Sequence, residues 1–275
     1  MTDSASDRAK HFRQMHGQGQ FLVLANAWDA GSARLIESCG AKAIATTSAG
    51  LAWSRGYPDG DVLPPRVLSI AVSEIERVIS VPLSVDIEGG YSSDPEKAAE
   101  SVSAVIDAGA VGINLEDGAG SPDLLCKKIA AVKRAAARKG VDLFVNARTD
   151  VYLRGLVPKE QATETTIARA QQYREAGCDG IFVPLVAEPG AIREIASAAG
   201  LPLNVLVMAT LPSPDELRKL GVRRLSAGSA IAQAVYGLAK TAATELFTSG
   251  SYAPMLDRSM DYTQMNALFS NIPAS

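Results

Sequence analysis

At residues 106–117 the chain runs Ile106-Asp-Ala-Gly-Ala-Val-Gly-Ile-Asn-Leu-Glu-Asp117. The stretch has three parts: the end of an amphipathic run, a glycine, and a short apolar run that finishes on two acids. A glycine directly after a helical run is typical of a helix C-terminus, where it adopts a left-handed backbone conformation. A short, bounded apolar run is typical of a buried strand. The stretch therefore predicts a helix that turns tightly into a strand of a covered sheet.

The same order recurs along the chain. Similar phrases precede other apolar runs, at Glu37-Ser-Cys-Gly-Ala, Glu175-Ala-Gly-Cys-Asp, Ala198-Ala-Gly-Leu-Pro and Lys219-Leu-Gly-Val. The strand candidates are residues 21–27, 43–47, 82–88, 111–116, 143–148, 180–184, 203–208 and 224–227, and a helix candidate follows each. Eight such units with parallel strands predict an α/β fold, the (β/α)8 TIM barrel. The alternative is a doubly wound open sheet, but Ala25-Asn-Ala-Trp-Asp-Ala-Gly31 lacks the glycine-rich turn that it requires.

Length and composition limit the domain organisation. The chain has 275 residues, of which 47% are hydrophobic, so it can form one large domain with a sizeable core. We expect residues 1–248 to form the barrel, including an N-terminal helical segment. Residues 249–275 lie beyond the last helix candidate, and we expect this C-terminal extension to pack on the surface or against another subunit.

Charge and cysteine usage exclude several classes of protein. The net charge is −3 and the pI is about 5.5, so nothing favours nucleic acid as a partner. No apolar stretch approaches the roughly 20 residues of a membrane helix. The three cysteines show no metal or disulfide spacing and are expected to be small buried residues, which favours a reducing cytoplasmic location. The two histidines, His11 and His16, both lie in the N-terminal segment, so the barrel itself offers no imidazole.

Acidic side chains stand at the ends of neighbouring strand candidates. Pro82-Leu-Ser-Val-Asp-Ile-Glu88 finishes with Asp86 and Glu88, the next candidate finishes with Glu116, and the one after that with Arg148. Residues two apart on a strand share a face, so Asp86 and Glu88 are expected on the same side. Crowded carboxylates are costly unless a cation compensates them. All-oxygen ligands predict Mg²⁺, with Mn²⁺ as the alternative. A salt-bridge network around Arg148 is the other interpretation.

Other segments offer weaker signals. The hydroxyl and N–H groups of Thr46-Thr-Ser-Ala-Gly-Leu51 could hold a substrate carboxylate or simply cap a turn, and the long segment 52–65 could close the site or decorate the surface. Ser226-Ala-Gly-Ser-Ala230 is a weak candidate for a phosphate site. Cys126-Lys127-Lys128 falls within a helical run and is interpreted as a mixed helix face.

Taken together, these motifs resemble the isocitrate lyase / phosphoenolpyruvate mutase superfamily over roughly residues 20–230. The matching segments are Ser48-Ala-Gly-Leu51, Asp61, Asp86-Ile-Glu-Gly-Gly-Tyr91, Leu115-Glu-Asp117 and Asn146-Ala-Arg-Thr-Asp150. The resemblance implies a (β/α)8 barrel, often with a C-terminal helix exchanged between the subunits of a homodimer or homotetramer. It also implies Mg²⁺, a 2-oxo or 2-hydroxy carboxylate as the small-molecule ligand, and cleavage or formation of C–C or P–C bonds.

The resemblance also implies roles for individual residues. Asp86, Glu88 and Glu116 would hold the metal, partly through water, and Asp61 would support them. Asp86 would thereby also bind the substrate, and Glu116, Asp61 and Arg148 are the residues implied to be catalytic. Substrate carboxylate oxygens would be contacted by Ser48, by the main chains of Gly50 and Leu51, and by Arg148.

The chain departs from the family pattern where protons would be moved. Lyases of the family carry a Lys-Lys/Arg-Cys-Gly-His loop after the fourth strand, whereas Gly118-Ala-Gly-Ser-Pro-Asp-Leu-Leu125 stands here. A proton donor would have to come from another group, and the candidates are Tyr57, Tyr91, Cys126, Asp61 and water. The mutase gating loop is not visible, and Pro184-Leu185 replaces the Pro-Glu of many family lyases.

The leading hypothesis is a Mg²⁺-dependent carbon–carbon lyase of the methylisocitrate or isocitrate lyase kind, acting on a 2-hydroxy or 2-oxo di- or tricarboxylic acid through an enolate. One alternative is an oxaloacetate decarboxylase or hydrolase, and another is phosphonopyruvate or phosphoenolpyruvate mutase-type chemistry. A third is a protein that binds an oxo acid with Mg²⁺ without turnover, and a fourth is a purely structural barrel.

Overall fold

The protein, described here by a computed structural model over residues 5–270 and 272, is built around one sheet of parallel strands. The sheet is nine-stranded, in the order β1-β9-β8-β7-β6-β5-β4-β3-β2. The strands are β1 Leu22–Leu24, β2 Asn26–Ala27, β3 Ile44–Thr46, β4 Leu83–Asp86, β5 Gly112–Glu116, β6 Phe144–Arg148, β7 Gly180–Val183, β8 Leu203–Leu206 and β9 Val222–Ser226. Since Ala25 alone separates β1 from β2, the chain itself closes the sheet into a barrel of eight strand positions. The (β/α)8 prediction is confirmed.

Helices cover the outside of the barrel. They are α1 Ala5–Gln14, α2 Ala30–Ser38, α3 Ser48–Ser54, α4 Pro65–Glu76, α5 Pro95–Asp107, α6 Pro122–Arg138, α7 Val151–Arg154, α8 Ala162–Glu175, α9 Pro189–Ala198, α10 Pro214–Lys219, α11 Ala230–Ser249, α12 Ala253–Leu256 and α13 Tyr262–Ala267. A short 3-10 turn, Lys159–Gln161, precedes α8. The eight predicted helices are confirmed, and α3 and α7 form in segments for which no helix was predicted.

Local chemistry explains where the helices begin. The Ser121 side chain accepts a hydrogen bond from the Asp123 N–H, and Pro122 fills the first helical position of α6. Ser213 and Glu216 form a reciprocal capping box at the start of α10. Both serines directly precede a proline, a pairing that is typical of a helix N-terminus.

The lumen of the barrel is polar at mid-height. The Nδ2 of Asn146 donates to the Oδ1 of Asn114 at 2.9 Å and to the Oδ1 of Asn204 at 3.0 Å. Arg224 also lies in the lumen, 1% exposed, and its Nη2 is 3.4 Å from the Asn114 Oδ1. Burial outweighs the attraction of Asp86 and lowers the pKa of Arg224 to about 9.

The N-terminal helix closes the bottom of the barrel. Phe12 of α1 meets the Phe144 ring edge-on at 5.6 Å, and the His16 ring stacks on Phe144 at 4.1 Å. Arg13 fastens the helix through Asp142 at 2.7 Å and Asp179 at 2.8 Å. The open end of the barrel is therefore the opposite one, where the strands finish.

The C-terminal segment exposes apolar side chains. Phe247 is 84% exposed, Tyr252 64% and Tyr262 80%, and α11 continues one residue past the predicted barrel boundary at 248. Among the cysteines, the expected burial is confirmed for Cys178 and wrong for Cys39, which ends α2 in the open. Within residues 5–270 and 272, no helix has the length and apolar character needed to cross a membrane.

Candidate active site

Strand register brings the predicted acids and the arginine together at the open end of the barrel. Asp86 of β4 is opposite Asn114 of β5, and Glu116 of β5 is opposite Arg148 of β6. The three charged residues are the last residues of three adjacent strands. In a barrel of this kind the strand C-termini carry the functional groups, so their placement fits a ligand site.

Arg148 is held by two carboxylates. Its Nη1 lies 2.6 Å from the Glu116 Oε2, and its Nε lies 2.7 Å from the Asp150 Oδ1. The Arg148 Nη2 reaches the other Asp150 oxygen at 3.2 Å. The salt-bridge network weighed as the alternative thus exists, but it uses Asp150 and Glu116 and leaves Asp86 and Glu88 outside it.

Glu88 does not follow strand geometry. The strand β4 ends at Asp86, and Glu88 has a left-handed φ of 51°. The prediction that Asp86 and Glu88 share a strand face is therefore wrong, because the alternation rule stops with the strand. The Glu88 Oε2 accepts the Gly60 N–H at 2.7 Å and the Asp61 N–H.

Asp61 in turn accepts hydrogen bonds from the loop that carries Glu88. Its Oδ1 accepts the Gly89 N–H at 3.1 Å and the Tyr91 N–H at 2.9 Å. We call residues 59–61 and 86–91 the clasp, because each segment binds the other's backbone through a carboxylate. A Cβ on Gly89 would lie 2.5 Å from the Asp61 Oδ2, so only glycine permits this approach. The supporting role implied for Asp61 fits this geometry.

Asp86 sits above the polar lumen and is partly exposed. Its N–H donates to the Thr46 Oγ1 at 2.8 Å, its Oδ1 accepts the Glu88 N–H at 3.1 Å, and the Asn114 Nδ2 lies 3.4 Å from its Oδ2. Desolvation raises the pKa of Asp86 despite Arg148 and these donors.

Negative charge is in excess at the site. Desolvation, with Asp59, Asp86 and Asp61 adding to it, raises the pKa of Glu88 to about 7. Desolvation and the neighbouring carboxylates outweigh Arg148 and raise the pKa of Glu116 to about 8. Burial lowers the pKa of Arg148, yet the surrounding acids raise it overall. A bound cation would relieve this repulsion.

The donor set fits a hard divalent cation that is reached partly through water. Within the described residues 5–270 and 272, no three His, Cys, Asp or Glu side chains form a group that could hold a metal ion. Glu88 already accepts backbone donors, and Glu116 pairs with Arg148. A cage of three direct carboxylate ligands is therefore not formed, while Mg²⁺ commonly keeps several waters. The metal roles of Asp86, Glu88 and Glu116 stay predictions in this water-mediated form.

Ser48, Gly50 and Leu51 lie in the short helix α3, directly after β3. A Cβ on Gly50 would come within 2.8 Å of Thr47 and 2.9 Å of Trp28, so packing requires glycine. The Leu51 N–H donates to the Thr47 carbonyl at 3.0 Å. Only the N–H groups of the first turn remain for a ligand, so a main-chain contact by Leu51 would have to be shared with the helix.

The other candidates from the sequence are Tyr91, Cys126 and the segment 226–230, and each lies in a different environment. Burial, together with the charges of Glu88, Asp86 and Asp61, raises the pKa of Tyr91. Burial also raises the pKa of the Cys126 thiol, which disfavours a thiolate. Ser226 donates to Asn204 within the lumen at 3.1 Å and the Gly228 N–H donates to Asn26 at 2.9 Å, so the suspected phosphate loop is partly used by the fold.

Sequence reasoning missed two supporting groups. Asp117 accepts bonds from Arg169 and from the Tyr173 hydroxyl, each at 2.6 Å, and from the Asp150 N–H at 2.9 Å. Lys128 reaches the Gly89 carbonyl at 2.6 Å. The acidic pair Glu116-Asp117 was a usable signal for the first, since alternation places Asp117 on the opposite face. No local pattern distinguishes Lys128 from a solvated lysine.

Comparison with known proteins places the chain in a family. The family model of phosphoenolpyruvate phosphomutase matches residues 12–247. The chain belongs to this family, and the predicted membership of the wider isocitrate lyase / phosphoenolpyruvate mutase superfamily is confirmed. The superfamily comprises lyases, mutases and hydrolases, so the prediction of an enzyme is confirmed with it.

Individual relatives cover most of the chain. The uncharacterized protein Rv1998c of Mycobacterium tuberculosis is 36% identical, over 93% of this chain and 95% of that protein. The 2-methylisocitrate lyase of Escherichia coli K12 is 29% identical, over 78% of this chain and 75% of the enzyme. A crystal structure from Burkholderia cenocepacia J2315, provisionally named a phosphonomutase, is 41% identical with a TM-score of 0.80, covering 85% of this chain and 98% of that one.

Proposed function

We propose that the protein is a Mg²⁺-dependent carbon–carbon lyase whose substrate is a 2-hydroxy or 2-oxo di- or tricarboxylic acid. One observation carries the proposal: Asp86, Glu116 and Arg148 end three adjacent strands at the open end of the barrel. The similarity to the 2-methylisocitrate lyase of Escherichia coli supports the same reaction class.

The residues of the site have distinct tasks in this proposal. Asp86, Glu88 and Glu116 would hold Mg²⁺, in part through water. The cation, when bound, would supply positive charge beside the substrate's carboxylate and α-oxygen. Arg148 uses three of its five N–H groups on Glu116 and Asp150, so two stay available for substrate oxygens. Asp61 would keep Glu88 in place through the clasp.

Proton transfer has few candidate donors. The connection between β5 and α6 consists only of residues 117–121, too short to deliver a side chain over the site. Burial and the nearby acids, Glu88 first among them, raise the pKa of Tyr91, which keeps its hydroxyl protonated but makes it a weak acid. We therefore infer that the product carbanion takes its proton from water, with Tyr91 as the alternative protein donor.

A panel of C3–C7 hydroxy and oxo acids tests the proposal. The purified protein is incubated with each acid in Mg²⁺ or in EDTA, and pyruvate, glyoxylate, CO₂, oxalate and inorganic phosphate are measured. We expect release of pyruvate or glyoxylate in Mg²⁺ alone, and none from the Asp86→Asn variant. Turnover that is equal in EDTA, or carboxylate binding without any product, would refute a metal-dependent lyase.

Cleavage of a P–C bond is the second candidate. The similarity to the structure provisionally named a phosphonomutase favours it, as does the absence of the histidine- and cysteine-containing lyase loop at residues 118–125. A phosphonate substrate in the same panel separates the two, since only this reaction yields phosphate or a rearranged phosphate ester.

We further propose that residues 249–275 form part of a subunit interface in a homodimer or homotetramer. The exposed aromatic rings of Tyr252 and Tyr262 support this. Light scattering on the wild type and on the Tyr262→Asp variant tests it: the mass should fall to that of a smaller species in the variant. A monomeric wild type would refute the interface. The cytoplasmic location stays a prediction.

A further inference from the structure

Lys128 is a nearly buried lysine whose ammonium group is hydrogen-bonded to the backbone of the clasp. It lies on α6, is 7% exposed, and its Nζ donates to the Gly89 carbonyl at 2.6 Å. Lysine is rarely buried unless it is paired. Its neighbour Lys127 is exposed, so the helix directs only one of the two ammonium groups towards the barrel.

The peptide groups of Gly89 are held on both sides. The Gly89 N–H donates to the Asp61 Oδ1 at 3.1 Å, while its carbonyl accepts from Lys128. Burial lowers the pKa of Lys128, and the charges of Asp61 and Glu116 oppose that change. The ammonium group thus faces the excess negative charge of the site from the α6 side.

The clasp needs such external support because its backbone is strained. Asp61, Glu88 and Tyr91 all have left-handed φ values, of 58°, 51° and 59°. Residues other than glycine adopt this region only when surrounding contacts hold them there. The carboxylates of Asp61 and Glu88 bind each other's segments, and Lys128 adds a hydrogen bond from a regular helix onto the turn between Glu88 and Tyr91.

We propose that Lys128 is a positioning residue: by fixing the Gly89 carbonyl it holds the clasp, and so keeps Glu88 and Asp61 where they serve the proposed cation site. The first half concerns the clasp alone, and the second half rests on the proposed function. As a positioning residue, Lys128 would contact neither substrate nor metal and would act through Gly89.

Amide hydrogen exchange tests the clasp without any assumption about the reaction. The metal-free wild type is compared with Lys128→Met, with the conservative Lys128→Arg, and with Lys127→Met as the matched control. In Lys128→Met the amides of Gly60, Asp61, Gly89 and Tyr91 should exchange about 10-fold faster or more, because their hydrogen bonds open locally. Lys128→Arg should restore much of the protection, and Lys127→Met should resemble the wild type.

Protection elsewhere separates positioning from general instability. The amides of β7 to β9 should exchange at wild-type rates in every variant, since the hydrogen bond of Lys128 goes to Gly89, which follows β4. Unchanged exchange of the clasp amides in Lys128→Met overturns the proposal, and so does uniformly faster exchange through the whole barrel. Should Lys128→Met not fold, Lys128→Gln takes its place, because the shorter amide cannot reach the Gly89 carbonyl.

Mg²⁺ titration by calorimetry then tests the second half. Loss of a supporting contact behind a metal site typically weakens metal affinity by about 10- to 100-fold, and we expect that range for Lys128→Met, with partial rescue in Lys128→Arg. Faster clasp exchange with unchanged Mg²⁺ affinity would overturn the link between Lys128 and the cation. A wild type that binds no Mg²⁺ would instead refute the proposed function, while the exchange result still decides the role of Lys128 in the clasp.

Discussion

Glu116 and Arg148 face each other across β5 and β6, and the Arg148 Nη1 lies 2.6 Å from the Glu116 Oε2. The arginine is therefore oriented before any ligand arrives, with Asp150 holding its other edge. A guanidinium fixed in this way loses little further freedom when it binds a carboxylate. The same pairing occupies the Oε2 of Glu116. Glu116 therefore cannot offer both carboxylate oxygens to a cation, which favours a water molecule between the two.

Replacing Arg148 should affect both stability and ligand binding. Arg148→Met leaves Glu116 and Asp150 without their main partner, and breaking a buried pair by removing one member costs about 3 kcal/mol or more of unfolding free energy. Affinity for an oxo acid such as oxalate should fall at least about 10-fold, since a charge-assisted contact is lost. Urea denaturation and calorimetry measure the two effects.

Arg154→Met is the matched control, because Arg154 also pairs with Asp150 but its side chain is 49% exposed. Exposed pairs contribute about 1 kcal/mol or less, so this variant should change stability little and oxalate affinity not at all. Equal effects of the two substitutions would show that Arg148 has no special place in the site.

Asp86 should control metal binding without supporting the fold. Asp86→Asn keeps the shape of the side chain and removes its charge, and should weaken Mg²⁺ affinity by about 10-fold or more in calorimetry. Burial raises the pKa of Asp86, so its charge is a burden on the folded state, and the melting temperature should stay the same or rise. Asp215→Asn, at a side chain that is 81% exposed, should change neither quantity. Full Mg²⁺ affinity in Asp86→Asn would remove Asp86 from the metal site.

The barrel and the charged strand ends were predictable because both follow from short periodic rules. Eight helix–glycine–strand units define the fold, and parallel strands necessarily bring residues such as Asp86, Glu116 and Arg148 to one end. Alternation along a strand puts Asn114 on the face of Glu116 and Asn146 on the face of Arg148, and the two asparagines are bonded to each other in the lumen.

Other features depend on contacts that no local rule describes. Glu88 was misplaced because β4 stops at Asp86 and Glu88 itself takes a left-handed conformation. Lys128 was interpreted as part of a mixed helix face, since its partner Gly89 is 39 residues away. Arg224 lies inside the barrel, where hydropathy would not place an arginine, because the direction of its side chain depends on closure of the whole sheet.

His16 makes the protein sensitive to acid through the bottom of the barrel. Its Nδ1 contacts the Phe12 carbonyl at 2.9 Å, and burial, with Arg224 and Arg13 adding repulsion, lowers the pKa of His16 to about 3. In the unfolded chain a histidine takes up its proton near pH 6.5. Between these values the unfolded state binds more protons, so stability falls as pH falls, by up to about 1.4 kcal/mol per pH unit.

The His16→Phe variant isolates this contribution. From pH 7 to pH 5 the wild type should lose about 2 kcal/mol more unfolding free energy than the variant, because the phenyl ring cannot be protonated. His11→Gln is the control, since His11 is exposed on the same segment, and it should keep the wild-type slope. Urea denaturation at several pH values gives the comparison, and parallel slopes for wild type and His16→Phe would contradict the assignment.

The close approach of Gly89 to Asp61 predicts a coupled pair of substitutions. An alanine Cβ at position 89 would lie 2.5 Å from the Asp61 Oδ2, so Gly89→Ala must displace the carboxylate. Forcing extra atoms into a packed site typically costs about 1–3 kcal/mol, and Mg²⁺ affinity should fall with the displaced clasp.

In the Asp61→Gly background the obstructing carboxylate is absent, and glycine also suits the left-handed φ of 58° at that position. Gly89→Ala should therefore cost at least about 1 kcal/mol less there, a coupling expected of residues in contact. Urea denaturation gives the free energies of unfolding of the wild type, Gly89→Ala, Asp61→Gly and the double variant, all without metal. Additive effects of the two substitutions would mean that the carboxylate does not pack against Gly89.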